Sequence, residues 1–307
     1  MKHHFERAEH IYNERGLVEL ISTGITYLPR EFNNVIFQLR HGKGARVMDE
    51  DWDTLILLDA CRYDMFAERV PFDGELESRI SLGSTSEEFL QQNFSDGKYH
   101  DTVYVNANAY LPKLGLDKDG TFHAVIDLLE DWDDELETAH PETVTQAALD
   151  ANRQFPNKRL IVHYMQPHIP FIGEFGRELQ KSIDYRSVWK PLRDDEATVS
   201  LDDVWRAYNE NLTFVFKYVG ELLEELDGRT VISADHGNLV GERSKPFLTR
   251  RMYGHPWGVY TPELVQVPWH VVESDNRREI RTDPPVQSSG QSEDVISDRL
   301  RALGYKN

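Results

Sequence analysis

From residue 50 onward, short apolar runs alternate with longer stretches whose apolar positions recur at helical spacing. The runs at 54–59, 103–106, 160–164, 230–234 and 267–272 have the length and composition of buried strands. Between them, Pro141 at a first-turn position leads into a stripe of Val144, Ala147, Ala148, Ala151 and Phe155 that stops at Pro156, which predicts a helix. The longest helical stripe covers 201–226, with Val204, Trp205, Tyr208, Leu212, Val215, Val219 and Leu222 on one side and Gly228 as its stop. Because Trp205 and Tyr208 share that stripe, they read as core rather than as a binding surface. Strands alternating with helices predict an α/β fold: a mostly parallel central sheet with helices on both faces.

The two ends differ from this middle. Leu17, Leu20, Ile21, Ile25 and Leu28, then Phe32, Val35, Ile36 and Leu39, keep helical spacing, and Arg30, Arg40, Lys43 and Arg46 gather beside them. Residues 1–46 are therefore either a helical segment packed on the domain or a basic amphipathic segment lying on a membrane surface. Residues 47–274 form the main domain. From 275 to 307 the chain turns polar and proline-containing, through Asp283-Pro284-Pro285 and Ser288-Ser289-Gly290, before a short helix near 296–303; this reads as a surface strap.

A chain of 307 residues can bury one large α/β core. Its charge is lopsided, with 53 acidic against 34 basic residues and a formal net charge of -19. That average field repels nucleic acid, so an anionic substrate needs a local positive site, most simply a metal. The same acidity suits a protein kept soluble at high salt, where self-repulsion is screened, and so a halophilic source. The single cysteine, Cys61, excludes an internal disulfide and a multi-cysteine zinc site. Neither a secretory signal nor an apolar run long enough to span a membrane is evident, which predicts a cytoplasmic protein, with membrane association left to the first segment.

The chemistry concentrates in four short segments. Two buried strands end in metal-capable side chains, Asp59 after 54–58 and Asp235-His236 after 231–234, at the sheet edge where α/β proteins build their ligand crevice. In Gly83-Ser84-Thr85-Ser86-Glu87-Glu88-Phe89, hydroxyl residues open a helix, and Thr85 with Glu88 has capping-box spacing. A helix N-terminus suits a phosphate or sulfate, and a hydroxyl there beside a divalent ion becomes a nucleophile; a plain cap is the bland reading. His163 and His168 flank a strand end and a proline-restrained loop, and Tyr253-Gly254-His255-Pro256 holds another imidazole. His163 reads equally as a core histidine, and His255 as an ordinary surface one.

These segments resemble the sulfatase-like branch of the alkaline phosphatase superfamily. Leu57-Leu58-Asp59-Ala60-Cys61-Arg62-Tyr63-Asp64 is similar to its first-strand motif and Gly83-Ser84-Thr85-Ser86 to its nucleophile segment. Pro167-His168-Ile169-Pro170 resembles its substrate-histidine loop, Ser233-Ala234-Asp235-His236-Gly237-Asn238 its second metal motif, and Gly254-His255-Pro256 with Val267-Pro268-Trp269 its closing segment. The resemblance runs over about residues 53–272 and implies a three-layer alkaline phosphatase-like sandwich. It further implies that Asp59, Thr85, Asp235 and His236 coordinate one divalent metal (Mn, Zn or Mg, with Ca also allowed) and that Thr85 is the nucleophile. His168 and His255, with Ser84 beside the nucleophile, would contact the substrate; His163, His168 and His255 are the candidates for a second ion. His168 is also a candidate proton donor, and Arg62 would neutralise the bound oxyanion unless it is tied up in an ion pair.

The departures from that pattern narrow the chemistry. The Cys/Ser-x-Pro-x-Arg motif of true sulfatases is missing, and Asp59-Ala60 stands where sulfatases pair two aspartates. His163 and His168 do not reproduce the Asp-x-x-x-His ligand pair of two-metal members, which favours one tightly held ion. The expectation is a metal-dependent hydrolase or transferase of a phosphate ester or diester, acting through a covalent threonine ester. Sulfate-ester hydrolysis comes second, and a non-catalytic anion-binding protein third. Oligomeric state is not legible.

Overall fold

A computed structural model of the chain describes residues 28–181, 183, 188–193, 199–274, 276–286 and 290–304. The predicted helical positions Leu17, Leu20, Ile21 and Ile25 lie outside these. The predicted α/β fold is what the structure has. Seven strands form one sheet in the order β2-β9-β6-β1-β5-β3-β4, where β1 is Thr54–Leu58, β2 Glu75–Ile80, β3 Tyr99–Asn106, β4 Phe122–Asp127, β5 Arg159–Tyr164, β6 Thr230–Ser233 and β9 Gln266–Val272. β6, β1, β5, β3 and β4 run parallel; β9 pairs antiparallel with β6 at one end, and β2 in turn pairs antiparallel with β9, so β9 alone is reversed. Leu239–Glu242 (β7) and Met252–Gly254 (β8) form a separate hairpin.

β1 is central because its sequence allows nothing else: all five residues are buried, and Leu55 to Leu58 have no exposure at all. A strand apolar on both faces needs helices above and below it. One group of helices comprises α2 (Tyr63–Arg69), α5 (Pro141–Gln154) and α8 (Leu201–Leu223), which pack on one another and on β3, β5 and β9. Another comprises α3 (Ser86–Phe94), α4 (Tyr110–Lys113) and α10 (Glu293–Ala302). α5 carries Pro141 at its first turn, and α8 starts from a Ser200/Asp203 capping box. α8 stops three residues before the predicted end; Gly228 beyond it takes φ +92°, and a Cβ there would meet the Asp53 carboxylate at 2.4 Å.

The remaining elements are α1, over 28–41, α6 (Glu174–Lys181), α7 (Trp189–Arg193), α9 (Pro262–Val265) and a 3₁₀ turn at Val47–Asp49. Among the described residues no helix is long and apolar enough to cross a membrane. The polar strap expected after residue 274 is fastened by Lys158, whose Nζ donates to the carbonyls of His100 and Arg281 and to Asp283.

A candidate metal centre at the strand ends

Parallel pairing brings the chemistry together. Register sets Leu58 opposite Tyr164 on one side of β1 and Leu57 opposite Ser233 on the other, so Asp59, the loop after β5 and Asp235-His236 all leave the sheet at one level. The turn is tight: Ala60 takes φ 61°, a left-handed conformation rare for a residue with a side chain. It is held there by three contacts, Ala60 N–H to Asp235 Oδ1 at 3.0 Å, Asp59 N–H to the Tyr164 carbonyl at 3.0 Å, and the Tyr208 hydroxyl to the Ala60 carbonyl. Tyr208, which the sequence places in the core stripe, thus also braces the site from beneath.

Asp59, Asp235 and His236 each offer one ligand atom within 4.8 Å of the others, and all three are fully buried. His236 Nε2 lies 3.7 Å from Asp59 Oδ1 and 3.5 Å from Asp235 Oδ2. Its Nδ1 sits 2.7 Å from the Gly237 carbonyl, so Nδ1 carries the proton and the Nε2 lone pair faces the carboxylates. Asp235 Oδ1 is occupied by the N–H groups of Ala60 and His236, and Asp59 Oδ2 by Ser86 Oγ and Asn108 Nδ2. Their other oxygens, Asp59 Oδ1 and Asp235 Oδ2, find no hydrogen-bond partner among the described residues, nor does His163 Nε2, 3.7 Å from Asp235 Oδ2. Buried carboxylate oxygens facing each other without donors are costly unless a proton or a cation lies between them. An O,O,N donor set of this size fits a divalent ion.

The same arrangement polarises the titrations. Burial, reinforced by the Asp235 charge, pushes Asp59 well above the usual carboxylate range. Burial acts on Asp235 in the same sense, but His236, His163, Ser86 and the Ala60 N–H outweigh it and hold that carboxyl low. Burial lowers His163 and His168 to about 4, and His255 well below its ordinary value, so these imidazoles are neutral at pH 7.

At the start of α3 the structure separates two hydroxyls. Thr85 is the N-cap, its Oγ1 accepting the Glu88 N–H at 3.2 Å. Ser86 Oγ lies on the cluster, 3.1 Å from Asp59 Oδ2 and 3.3 Å from His236 Nε2. Sequence reasoning passed over Ser86, although the signal was present: a Thr that caps a helix turns its hydroxyl back onto the backbone, and the next hydroxyl is the one left to face outward. Asn108, donating to Asp59 Oδ2 at 2.7 Å, was also missed. It follows a buried strand end just as Asp59 does.

The remaining predicted residues divide. His168 and His255 come together, Nε2 to Nε2 at 3.0 Å, and the His255 ring lies 4.6 Å from that of His236, so both border the cluster. His163 is tied through Nδ1 to the Tyr104 hydroxyl at 2.9 Å. Arg62 is engaged by Asp64, Glu242 and the Asn238 carbonyl and lies over the Trp205 ring, so its guanidinium is part of the frame of the site. Ser84 Oγ accepts the Gly258 N–H and donates to Glu88, which pins the 255–260 loop to the start of α3.

No protein-family model matches the sequence, and no curated protein is significantly similar to it. Several solved structures resemble it to different degrees. An integral membrane lipooligosaccharide phosphoethanolamine transferase, EptA of Neisseria meningitidis, superposes with a TM-score of 0.50 at 12 % identity over 90 % of this chain and 59 % of that one. This chain therefore spans about three fifths of that protein's length. The C-terminal periplasmic domain of EptC from Escherichia coli, solved with zinc, gives 0.48 at 13 % identity over 76 % of each chain. The lipoteichoic acid synthase LtaP of Listeria monocytogenes gives 0.39 at 13 % over 91 % of this chain and 78 % of that one. The likeness to the phosphoethanolamine transferase is one of fold.

Proposed function

We propose that this chain is a metal-dependent hydrolase or transferase of phosphoric esters whose attacking group is a hydroxyl in the first turn of α3. One observation carries the reading: Asp59 Oδ1 and Asp235 Oδ2, buried and without donors, face His236 Nε2 within 4.8 Å, beside the hydroxyls that open a helix. A divalent ion held by Asp59, Asp235 and His236 would supply Lewis-acid chemistry, lowering the pKa of a nearby hydroxyl and offsetting the charge of an ester anion.

The chain's own groups do the rest. Asn108 holds Asp59 in its rotamer, and the Ala60 and His236 N–H groups hold Asp235. Backbone N–H groups at the start of α3 face an anion favourably. The motif resemblance points to Thr85 as the attacking group: its hydroxyl gives its proton to solvent, Oγ1 bonds to phosphorus, the bond from phosphorus to the leaving oxygen breaks with that oxygen taking up a proton, and the enzyme ester passes its phosphoryl group to water or an alcohol. His168 and His255, neutral at pH 7 and adjacent, are placed to bind an ester oxygen, and the proton for the leaving oxygen would come from solvent. A second reading rests on a distance: Ser86 Oγ already touches the cluster, which makes it the attacking group while Thr85 stays a cap. Phosphorus is favoured over sulfur because the Cys/Ser-x-Pro-x-Arg motif is missing and Ala60 stands where sulfatases carry a further aspartate.

The test is turnover of aryl phosphate, aryl phosphodiester and aryl sulfate by the purified chain after chelation and after addition of Mn, Zn or Mg, beside Thr85→Ala and Ser86→Ala. The expected result is metal-dependent phosphoester turnover that falls by roughly a thousandfold or more in one of the two variants. Turnover that ignores chelation, or wild-type rates in both variants, would refute the reading.

A further inference from the structure

α1 is folded the wrong way round for a helix that belongs only to this domain. Its inward face carries Asn33 and Asn34 with Phe37, while Leu28, Phe32, Val35 and Leu39, at one helical stripe, face solvent. Leu39 is 81 % exposed. An amphipathic helix ordinarily buries its apolar stripe and leaves amides outside. Here the amides are committed: Asn33 exchanges hydrogen bonds with the backbone of Phe247 at 2.7 and 2.9 Å, and Asn34 does the same with Gly258 O and Tyr260 N at 2.8 and 2.9 Å. That double clamp fixes which side of the helix is outward.

The exposed stripe is not isolated. Of the eight large apolar side chains exposed among the described residues, seven belong to this region; the eighth is Val286. Phe247 and Leu248 extend the stripe on the loop after β7, with the Phe32 and Phe247 rings 6.0 Å apart. Trp257, 60 % exposed, continues it beside Arg30, which reaches its carbonyl. Between α1 and that loop runs a groove of about 650 Å³ lined by Arg40, His41, Arg243 and Lys245 together with Leu248, with Glu263 as the acid among them. Basic side chains around an apolar patch, on a chain of net charge -19, are a local reversal of the protein's field.

We propose that α1 and the 243–257 loops form a docking surface for an anionic lipid bilayer. The apolar stripe enters the headgroup boundary, and the basic groove lies against lipid phosphates, the combination by which amphipathic helices bind negatively charged membranes. A protein partner would be met by apolar contact alone; the basic rim adds the complementarity that an anionic headgroup layer supplies. The surface adjoins the candidate centre, since Trp257 lies two residues from His255 and Gly258 N–H bonds Ser84. Docking there brings the centre to the membrane interface, and it stands whether or not the chemistry proposed above is correct.

Flotation of the full chain with phosphatidylcholine vesicles, and with vesicles carrying about 30 mol% phosphatidylglycerol, tests this in buffer where circular dichroism shows the protein folded. The anionic vesicles are expected to carry at least about tenfold more protein. Phe32→Glu with Leu39→Glu, both surface positions, should cut binding by about tenfold or more with an unchanged dichroism spectrum, and Arg40→Ala with Lys245→Ala should reduce the preference for the anionic vesicles. Wild-type binding by the Phe32→Glu, Leu39→Glu variant overturns the proposal. So does a wild type that stays with neither vesicle; light scattering then separates a second copy on the stripe, seen as a dimer that Leu39→Glu dissociates, from coverage by the chain's own residues 1–27, seen as a monomer. None of these readouts needs catalysis, so a failed ester assay and a failed flotation are independent results.

Discussion

Asp59→Asn is expected to raise the melting temperature of the metal-free protein and at the same time to abolish its response to metal. In the present geometry Asp59 Oδ2 accepts from Ser86 and Asn108, while Oδ1 faces Asp235 Oδ2 without a donor. Asparagine can keep its carbonyl oxygen toward Ser86 and Asn108 and turn its Nδ2 toward Asp235, replacing a carboxylate repulsion with a hydrogen bond. With ligand atoms within 4.8 Å, two unit charges at an effective dielectric of about 20 repel by about 3 kcal/mol. The raised pKa of Asp59 means that a proton already relieves part of this, so the gain in the metal-free state is about 1–3 kcal/mol. At about 2 °C per kcal/mol for a chain of this size, melting rises by roughly 2–6 °C. For the wild type, metal at about a hundredfold its Kd adds about 2.7 kcal/mol, or roughly 5 °C, which the variant should lose. Scanning calorimetry with chelator and with Mn or Zn reads both signs. A variant that melts lower without metal, or that keeps the wild-type metal shift, would show that these carboxylates do not share an ion.

Gly83→Ala should cost at least about 2 kcal/mol by urea titration and impair any turnover, because a Cβ there meets the Phe89 backbone nitrogen at 2.2 Å and pushes the start of α3 off the cluster. Lys158→Met should cost about 1–3 kcal/mol and loosen the 276–286 strap, read by hydrogen exchange, since it strands the Arg281 carbonyl and leaves that of His100 with only the Asp283 N–H. In chelator, stability should fall as pH drops from 6.5 toward 4: His163 and His168 stay neutral to about 4 when folded and take up protons near 6.5 when unfolded, about 1.4 kcal/mol per pH unit each, with Asp59 offsetting up to one proton. A flat profile between pH 6.5 and 5 would contradict this. Molar KCl should raise the melting temperature, because it screens the self-repulsion of a chain at -19; a melting point indifferent to salt would remove the high-salt reading.

The central strands were legible because burial on both faces leaves uninterrupted apolar runs, and the same logic located Asp59 and Asp235-His236 as the first polar residues past them. The edge strands were not. β2 reads Glu-Leu-Glu-Ser-Arg-Ile and sits at the rim of the sheet with mixed exposure, and β4, at the other rim, ends in a partly buried Asp127. β2, polar on its solvent side, offers no apolar run to detect, whereas β4 holds the short run Ala124-Val125-Ile126, which the strand reading passed over. Within the site, the strand-end rule predicts which carboxylates meet but not which hydroxyl joins them, because Thr85 and Ser86 differ only in how a helix cap turns. For Arg62 the ion-pair alternative was open in the sequence, with Asp64 two residues on, but Glu242, 180 residues away, was not announced by anything near it.

The charge arrangement makes cation and anion binding interdependent. Asp59 and Asp235 are the acids at the centre, with Asp235 held ionised, the flanking imidazoles are neutral at pH 7, and Arg62, the guanidinium that follows β1, is committed to Asp64 and Glu242. Without a cation such a centre repels an anionic ester, and the helix dipole at the start of α3 offers only a fraction of a unit charge against it. A cation reverses the sign. By linkage, whatever factor the cation contributes to the affinity for an oxyanion, the oxyanion contributes to the affinity for the cation. Calorimetric titration of vanadate should therefore show binding that strengthens by at least about tenfold on adding metal, and metal titrations should tighten by the same factor when vanadate is present. Vanadate binding that is equal with and without metal would place the anion site away from Asp59, Asp235 and His236.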